Sequence, residues 1–548
     1  MLDAPKSNRR LSSRLVSLSA LFGAALVARV SLAQGADEHP TQAPPTENTG
    51  GDGSGGAAPT GGAGGESPGP TETPAEKPES QPAKPAEDPK SDKAAAKPEK
   101  PKEDHGGSFE FGSYGRMIVA ANGDGGPGAD SDIVGRGSRM DEGNYVELEL
   151  RREDDWGITG IYTNVVATLA FASPIFHYDA DFDVKMAIRN MYLEARNIGL
   201  TGLSAWAGSR MVRGDDIYLL DYWPLDNLNL LGAGASYAHE SGFSAALSVG
   251  ATQPKSEYFS QTVERPAPLD QFGAVPVELL DRQKFIGAVR LSHNQRLGPK
   301  DLPSPGIKAT LYAEGHALPE GTRETEPGGE LELLPSDGGF AVGAEFTAYT
   351  GERDTYVNVF LRYAGNLAAY GQFTTPGQLT LEHTTDGARE VVVALGGNAE
   401  YEFFGIQAGA YFRSFRDASP QLNYEDVDEG AIILRPTFFF GELAGLSIEG
   451  AFEAAQRGVI AEDAVDPSLA PSGPLVATAF RLGFMPFIAA AGRGDFKRPH
   501  LRLIYNLTVR DDGARLLYPE DHPYRDRSIE HFIGIGAEWW FNSSSYGN

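Results

Sequence analysis

The sequence predicts an all-β protein, a transmembrane antiparallel β-barrel, and three observations carry that reading. After residue 108 there is no unbroken apolar run of the ~18 residues that a membrane helix needs. What recurs instead is two-residue alternation over segments of roughly ten residues, separated by Gly-, Pro- and Asp-rich breaks. The chain then ends in an aromatic-tipped alternating segment, in which Ile533, Ile535, Ala537, Trp539 and Phe541 interleave with Phe532, Gly534, Gly536, Glu538 and Trp540. Closing strands of outer-membrane barrels have that form, with Trp539 and Phe541 in the interfacial aromatic girdle and Trp540 turned into the lumen. The 66 glycines and 10% aromatic content suit many strands and turns better than helices.

Taken in order, the chain opens with a basic start (Lys6, Arg9, Arg10, Arg14), a short apolar run over 15–28 and Ser31-Leu32-Ala33. These are the three parts of a secretory signal, with cleavage expected after Ala33. Residues 34–107 are a Pro/Gly/Ala/Lys/Glu-rich tract with almost nothing to bury, expected to be a disordered tether. Its stiffer Lys/Pro half is a candidate contact with the cell wall. Residues 108–548 are the expected barrel.

Within it, 144–150 sets Val146, Leu148 and Leu150 against Tyr145, Glu147 and Glu149, and 500–510 sets Leu501, Leu503, Tyr505, Leu507 and Val509 against His500, Arg502, Asn506, Thr508 and Arg510. In a lipid barrel the apolar face points outward and the charged face lines a wet lumen. Charged breaks at 122–132, 252–283, 314–338, 373–388, 416–430, 458–473 and 511–528 read as the long loops of one rim, and the length allows 16 to 18 strands.

Composition also excludes. With no cysteine there is no disulfide framework and no thiolate site. A formal net charge of −28 argues against a nucleic-acid partner. The histidines lack HExxH spacing, no G-x-S-x-G elbow supports a hydrolase, and 123–132 lacks the closing Glu of a calcium loop, so neither enzyme chemistry, a metal nor a cofactor is expected. The most concentrated stretch is 206–227, WAGSRMVRGDDIYLLDYWPLDN, with two arginines, several aspartates and aromatics in one short span. By itself it fits an enzyme's carboxylate cluster, a core ion-pair network or a polar channel lining.

GSYGR (112–116), NYVELEL (144–150), AIRNMYLEA (187–195), WAGSR (206–210) with RGDDIYLLDYW (213–223), FKRPHLRLIY (496–505) and GAEWW (536–540) resemble, in order, the maltoporin-type sugar porins. The resemblance implies a homotrimer of 18-stranded barrels in the outer-membrane lipid, each narrowed by an inward-folded loop. It implies that carbohydrate solutes such as maltodextrins slide along aromatic side chains flanked by charges. Carried over residue by residue, the aromatic slide comprises Tyr114, Tyr145, Tyr356, Phe496 and Trp540. The polar track comprises Arg116, Arg139, Glu147, Arg189, Arg213, Asp216, Asp221 and Tyr222. The family has tryptophan where Phe496 stands, and an extra residue after Arg213 leaves open whether Asp215 or Asp216 faces the pore. Phe176 and Tyr178 are candidates for the aromatic lent by a neighbouring subunit. Alternation agrees independently, since Tyr114 shares a face with Arg116, Tyr145 with Glu147, Phe496 with Arg498 and Arg502, and Trp540 with Glu538. The alternatives are a general or ion-selective porin, an outer-membrane barrel enzyme, and an adhesive barrel on a wall-binding tether.

Overall fold

The structure, a computed structural model, describes residues 105–172, 184–299, 303–326, 328–377, 379–419, 426–458 and 475–543. The expected signal, most of the expected tether, Phe176 and Tyr178 lie outside the described residues.

Eighteen antiparallel strands form one sheet in which each pairs with the strand before and after it in the chain. The first, His105–Asn122, pairs with the last, Ile529–Phe541, in the register Tyr114↔Trp540 and Arg116↔Glu538, which closes the barrel. It starts at His105, at the end of the stretch read from sequence as tether. Connections alternate in length: 157–160, 239–242, 401–403 and 441–443 are short, whereas 123–144, 253–283, 367–388 and 511–528 are long. Six of the seven breaks singled out in the sequence include described residues of the long connections; the seventh, 458–473, lies outside the described residues but for Gly458. Two of those loops build hairpins of their own, Ser260–Pro266 with Ala274–Asp281 and Gly321–Glu324 with Leu331–Leu334.

The barrel is inside-out relative to a water-soluble protein. Arg481 and Glu453, facing inward, are 2% and 0% exposed, while Leu501 and Ile535, facing outward, are 63% and 66% exposed. Only a lipid exterior makes that pattern stable, because it satisfies the leucine face while ion pairs satisfy the inner face. The closing strand behaves as its alternation predicts, with Ile533, Ile535 and Phe541 exposed and Glu538 buried.

Two loops enter the lumen. In 214–226, which carries a 3-10 turn at Tyr218–Leu220, Ile217, Leu219, Leu220 and Leu225 are buried among inward residues of the wall, including Val392, Tyr411 and Ile433. The far wall is pared down to receive it: a Cβ on Gly396 or Gly409 would stand 3.2 or 3.0 Å from Ile217, and one on Gly343 would stand 2.6 Å from Leu225. The other loop, 123–144, lies along strands 427–510. Its Ile133 N–H donates to Glu453 at 2.9 Å and its Gly135 N–H to Glu429 at 3.0 Å. Arg481 pins it through Asp141, at 2.9 Å, and Asp132, with Glu453 at 3.3 Å.

Removing the buried cation leaves three carboxylates crowded together without a counter-charge. Arg481→Met is therefore expected to destabilise the barrel by about 3–5 kcal/mol and to release loop 123–144 to protease. Thermal unfolding in detergent and limited proteolysis check this, and an unchanged midpoint with an uncut loop overturns it.

Candidate functional site

Alternation on the strands and the entry of loop 214–226 bring the expected aromatics into one line. Tyr145 lies 6.0 Å from Tyr114, ring centre to ring centre, and Tyr114 is stacked on Trp540 at 6.5 Å and 20°. At the other end Phe496 is stacked on Tyr356 at 6.4 Å and 24°. Between the two stacked groups stands Tyr218, edge-on to Trp540 at 6.1 Å and to Phe496 at 5.4 Å.

Tyr218 is the residue the sequence reading missed. It sits on a loop, where two-residue alternation has no meaning, and it was passed over in favour of the aspartates around it. Its backbone comes from the concentrated 206–227 stretch, and its hydroxyl accepts from Arg498 Nη2 at 2.6 Å and donates to Glu538 Oε2 at 3.1 Å.

The charged residues flank this line in pairs. Glu147 accepts from Tyr145 and from Arg189, the latter at 2.9 Å, and the Arg189 guanidinium lies 5.6 Å from the Tyr145 ring centre. Arg139 donates to the Tyr114 hydroxyl at 2.6 Å and pairs with Glu142 at 2.9 Å. It reaches Asp221 at 3.8 Å and covers the Tyr218 ring at 4.9 Å. Arg116 pairs with the same Glu142. Beside Trp540, Glu538 accepts from Arg498 and Arg502, and the Arg498 guanidinium is 4.3 Å from the indole. Glu142, Arg498, Arg502 and Glu538 thus stand among the expected charged residues along the aromatic line. Alternation had already put the last three on the faces of Phe496 and Trp540, so the signal for them was present in the sequence.

Two expected members stand apart. Tyr222 packs edge-on against Tyr411 at 5.7 Å, within the apolar cluster that seats the loop, away from the aromatic line. Arg213 stays at the root of the loop, stacked at 3.8 Å on Trp223 and donating to Asn227 at 2.7 Å. Of the adjacent aspartates, Asp215 is taken up by Lys308 of the wall, while Asp216 feels the charges of Arg139 and Asp221. Burial, with repulsion from Asp221 and Asp215, raises the Asp216 carboxyl to about 6 despite Arg139. Burial also acts on Asp221, but Arg139, Arg116 and Arg213 outweigh it and hold that carboxyl below its ordinary value. Asp221 adopts a left-handed backbone, φ 45°, which aspartate tolerates better than most residues and which turns its carboxylate back toward Arg139.

Because Tyr218 stands edge-on between two stacked aromatic pairs, on a loop that enters the barrel, it is expected to narrow the passage. Tyr218→Ala is expected to raise single-channel conductance in plain salt, with Tyr218→Phe intermediate because only the hydroxyl anchors are lost; an unchanged Tyr218→Ala conductance refutes the narrowing. Asp216 gives a pH signature. Its carboxyl is raised from 3.8 in the folded state, so the folded state favours the protonated form, and that contribution is lost as pH climbs to about 6. Over the same window a negative charge appears in the passage, so cation preference, read as reversal potential, is expected to rise. Asp216→Asn should remove the step.

No curated protein sequence matches the chain. Among solved structures, it is similar to OmpT of Vibrio cholerae in its trimer form, at 12% identity and a TM-score of 0.37 over 79% of this chain and 99% of that one. It is similar also to OpdK of Pseudomonas aeruginosa with vanillate, at 10% identity and 0.36 over 80% and 99%. OccD3 of the same organism is similar at 9% identity and 0.33 over 81% and 95%. Residues 109–541 match the family model of the LamB porin, which spans the barrel from its first strand to its last. The chain belongs to the LamB porin family and is an outer-membrane channel.

Proposed function

We propose that the channel carries carbohydrates by facilitated diffusion, with oligosaccharides such as maltodextrins moving along the aromatic line. The observation that carries this reading is the line itself: Tyr145, Tyr114, Trp540, Tyr218, Phe496 and Tyr356 follow one another at 5.4 to 6.5 Å, with arginine–carboxylate pairs along the flank. A sugar ring has apolar C–H faces that stack on aromatic planes and a belt of hydroxyls that both donate and accept. The faces rest on the rings while each hydroxyl trades water for a guanidinium N–H or a carboxylate oxygen. Every contact is weak and repeated, so a solute gains enough to enter without being held. The chain works in this reading as a trimer, exported by its leading segment, with the tether reaching toward the cell wall.

The test is current block in single channels by added maltooligosaccharides. Saturable block at about millimolar sugar is expected, as a weak multi-site pathway requires. Trp540→Ala removes one stacking platform of ~1 kcal/mol, so the half-blocking concentration should rise about fivefold while the open-channel current persists. A channel indifferent to every sugar, or a Trp540→Ala variant that blocks like the parent, rejects the reading in favour of a general ion-conducting porin.

A further inference from the structure

The inner wall holds many buried arginines, and their partners are nearly always carboxylates: Arg435 with Glu449 at 2.6 Å, Arg481 with Asp141 at 2.9 Å, and Arg498 and Arg502 with Glu538. Arg510 breaks the pattern. It is the last residue of the strand His500–Arg510, at the long-loop rim, and faces inward at 2% exposure. Its Nε, Nη1 and Nη2 atoms are all buried, and none has a hydrogen-bond partner among the described residues. The inward carboxylate on the neighbouring strand, Glu530, lies near Arg527 instead, at 3.8 Å.

What covers Arg510 is aromatic. The guanidinium sits 4.2 Å from the Tyr524 ring centre and 5.7 Å from that of Tyr518. His522 is stacked on Tyr518 at 4.8 Å and lies 5.1 Å from Tyr524, so loop 511–528 holds two rings over the cation with a third packed against both. A ring face recovers only part of the hydration that a buried guanidinium gives up. The covered state therefore keeps an uncompensated charge, and an incoming anion gains by supplying the missing one once the loop lifts. The fork of a guanidinium fits a carboxylate through two parallel bonds, and rings beside it suit the apolar face of a sugar.

We propose that Arg510 with Tyr518, His522 and Tyr524 is a recognition site at the outer mouth for saccharides bearing a carboxylate, that is, sugar acids. This rests on the carbohydrate-channel reading for its place on the path, but not for its chemistry.

The experiment compares glucuronate, glucose and acetate on the full-length protein, by current block and by thermal stabilisation of the detergent-solubilised channel. Glucuronate is expected to act at about tenfold lower concentration than glucose, and acetate weakly. Arg510→Gln should reduce glucuronate to the level of glucose, leave glucose block unchanged and raise the unliganded melting temperature, because a buried unpaired charge is gone. Arg510→Lys, which keeps the charge without the fork, should retain part of the preference and serves where the glutamine variant does not fold. Equal action of glucuronate and glucose on the parent overturns the proposal, as does a preference that survives Arg510→Gln or acetate matching glucuronate. If no sugar blocks current, the carbohydrate-channel reading fails. The Arg510-dependent stabilisation by glucuronate still decides this proposal separately.

Discussion

Glu538 is the group on which the arrangement of the channel turns. It lies inward on the closing strand, in register with Arg116 of the first strand, where a carboxylate cut off from bulk water must be paired or discharged. Arg498 from the segment leading into the preceding strand, Arg502 on that strand itself and the hydroxyl of Tyr218 satisfy it together. Meeting that one requirement fixes three things at once. It draws the 490–499 connection against the wall, holds the inward loop by its tip, and places the Arg498 guanidinium over the Trp540 ring. The aromatic line is thus set by an electrostatic constraint rather than by ring packing alone.

The same logic governs loop 123–144. Without the loop, Glu429, Glu449 and Glu453 would rest on wall arginines alone; the loop adds the backbone N–H groups of Ile133 and Gly135, the Ser138 hydroxyl on Glu449, and Asp132 and Asp141 on Arg481. Loop 214–226 enters for the complementary reason, since it has leucines and an isoleucine to bury, and the wall opposite offers glycine, alanine and valine at the matching positions. One loop is held by charge and the other by apolar contact. From these two loops Tyr218 and Arg139 meet the wall aromatics, Tyr218 edge-on to Trp540 and Phe496 and Arg139 on the Tyr114 hydroxyl.

Strand-borne features were legible in the sequence because a strand has a strict period: knowing that Leu501 faces lipid places Arg502 inside, and knowing that Ile533 and Ile535 face lipid places Glu538 and Trp540 inside. The loop ranges were legible because charged and glycine-rich breaks interrupt that period. The inward loop itself was not. Nothing in RGDDIYLLDYW says that Ile217, Leu219 and Leu220 are buried in the apolar cluster while Tyr218, at its edge, reaches Trp540 and Phe496, since a short 3-10 turn has no two-residue period. Tyr218 therefore carries no alternation signal, and Tyr222, which the resemblance puts on the polar track, packs against Tyr411. The choice between Asp215 and Asp216 was beyond the sequence for a related reason. It depends on Lys308, nearly a hundred residues away, reaching the first of them.

A chain with a formal charge of −28 would be expected to favour cations throughout, but the field a solute meets depends on the charges beside its path and not on the total. Beside the aromatic line the charges come as closed groups, Arg189 with Glu147, Arg116 and Arg139 with Glu142 and Asp221, and Arg498 and Arg502 with Glu538. Such groups offer strong donors next to strong acceptors without a large net field, so a small ion gains little from them. A polyol, whose every hydroxyl needs both a donor and an acceptor, gains at each step. Arg510 at the outer mouth is the exception, a donor fork without its acceptor. Unbalanced charge at the entrance and balanced pairs within separate the two demands on a selective passage, since recognition needs a group left wanting and release needs groups already satisfied.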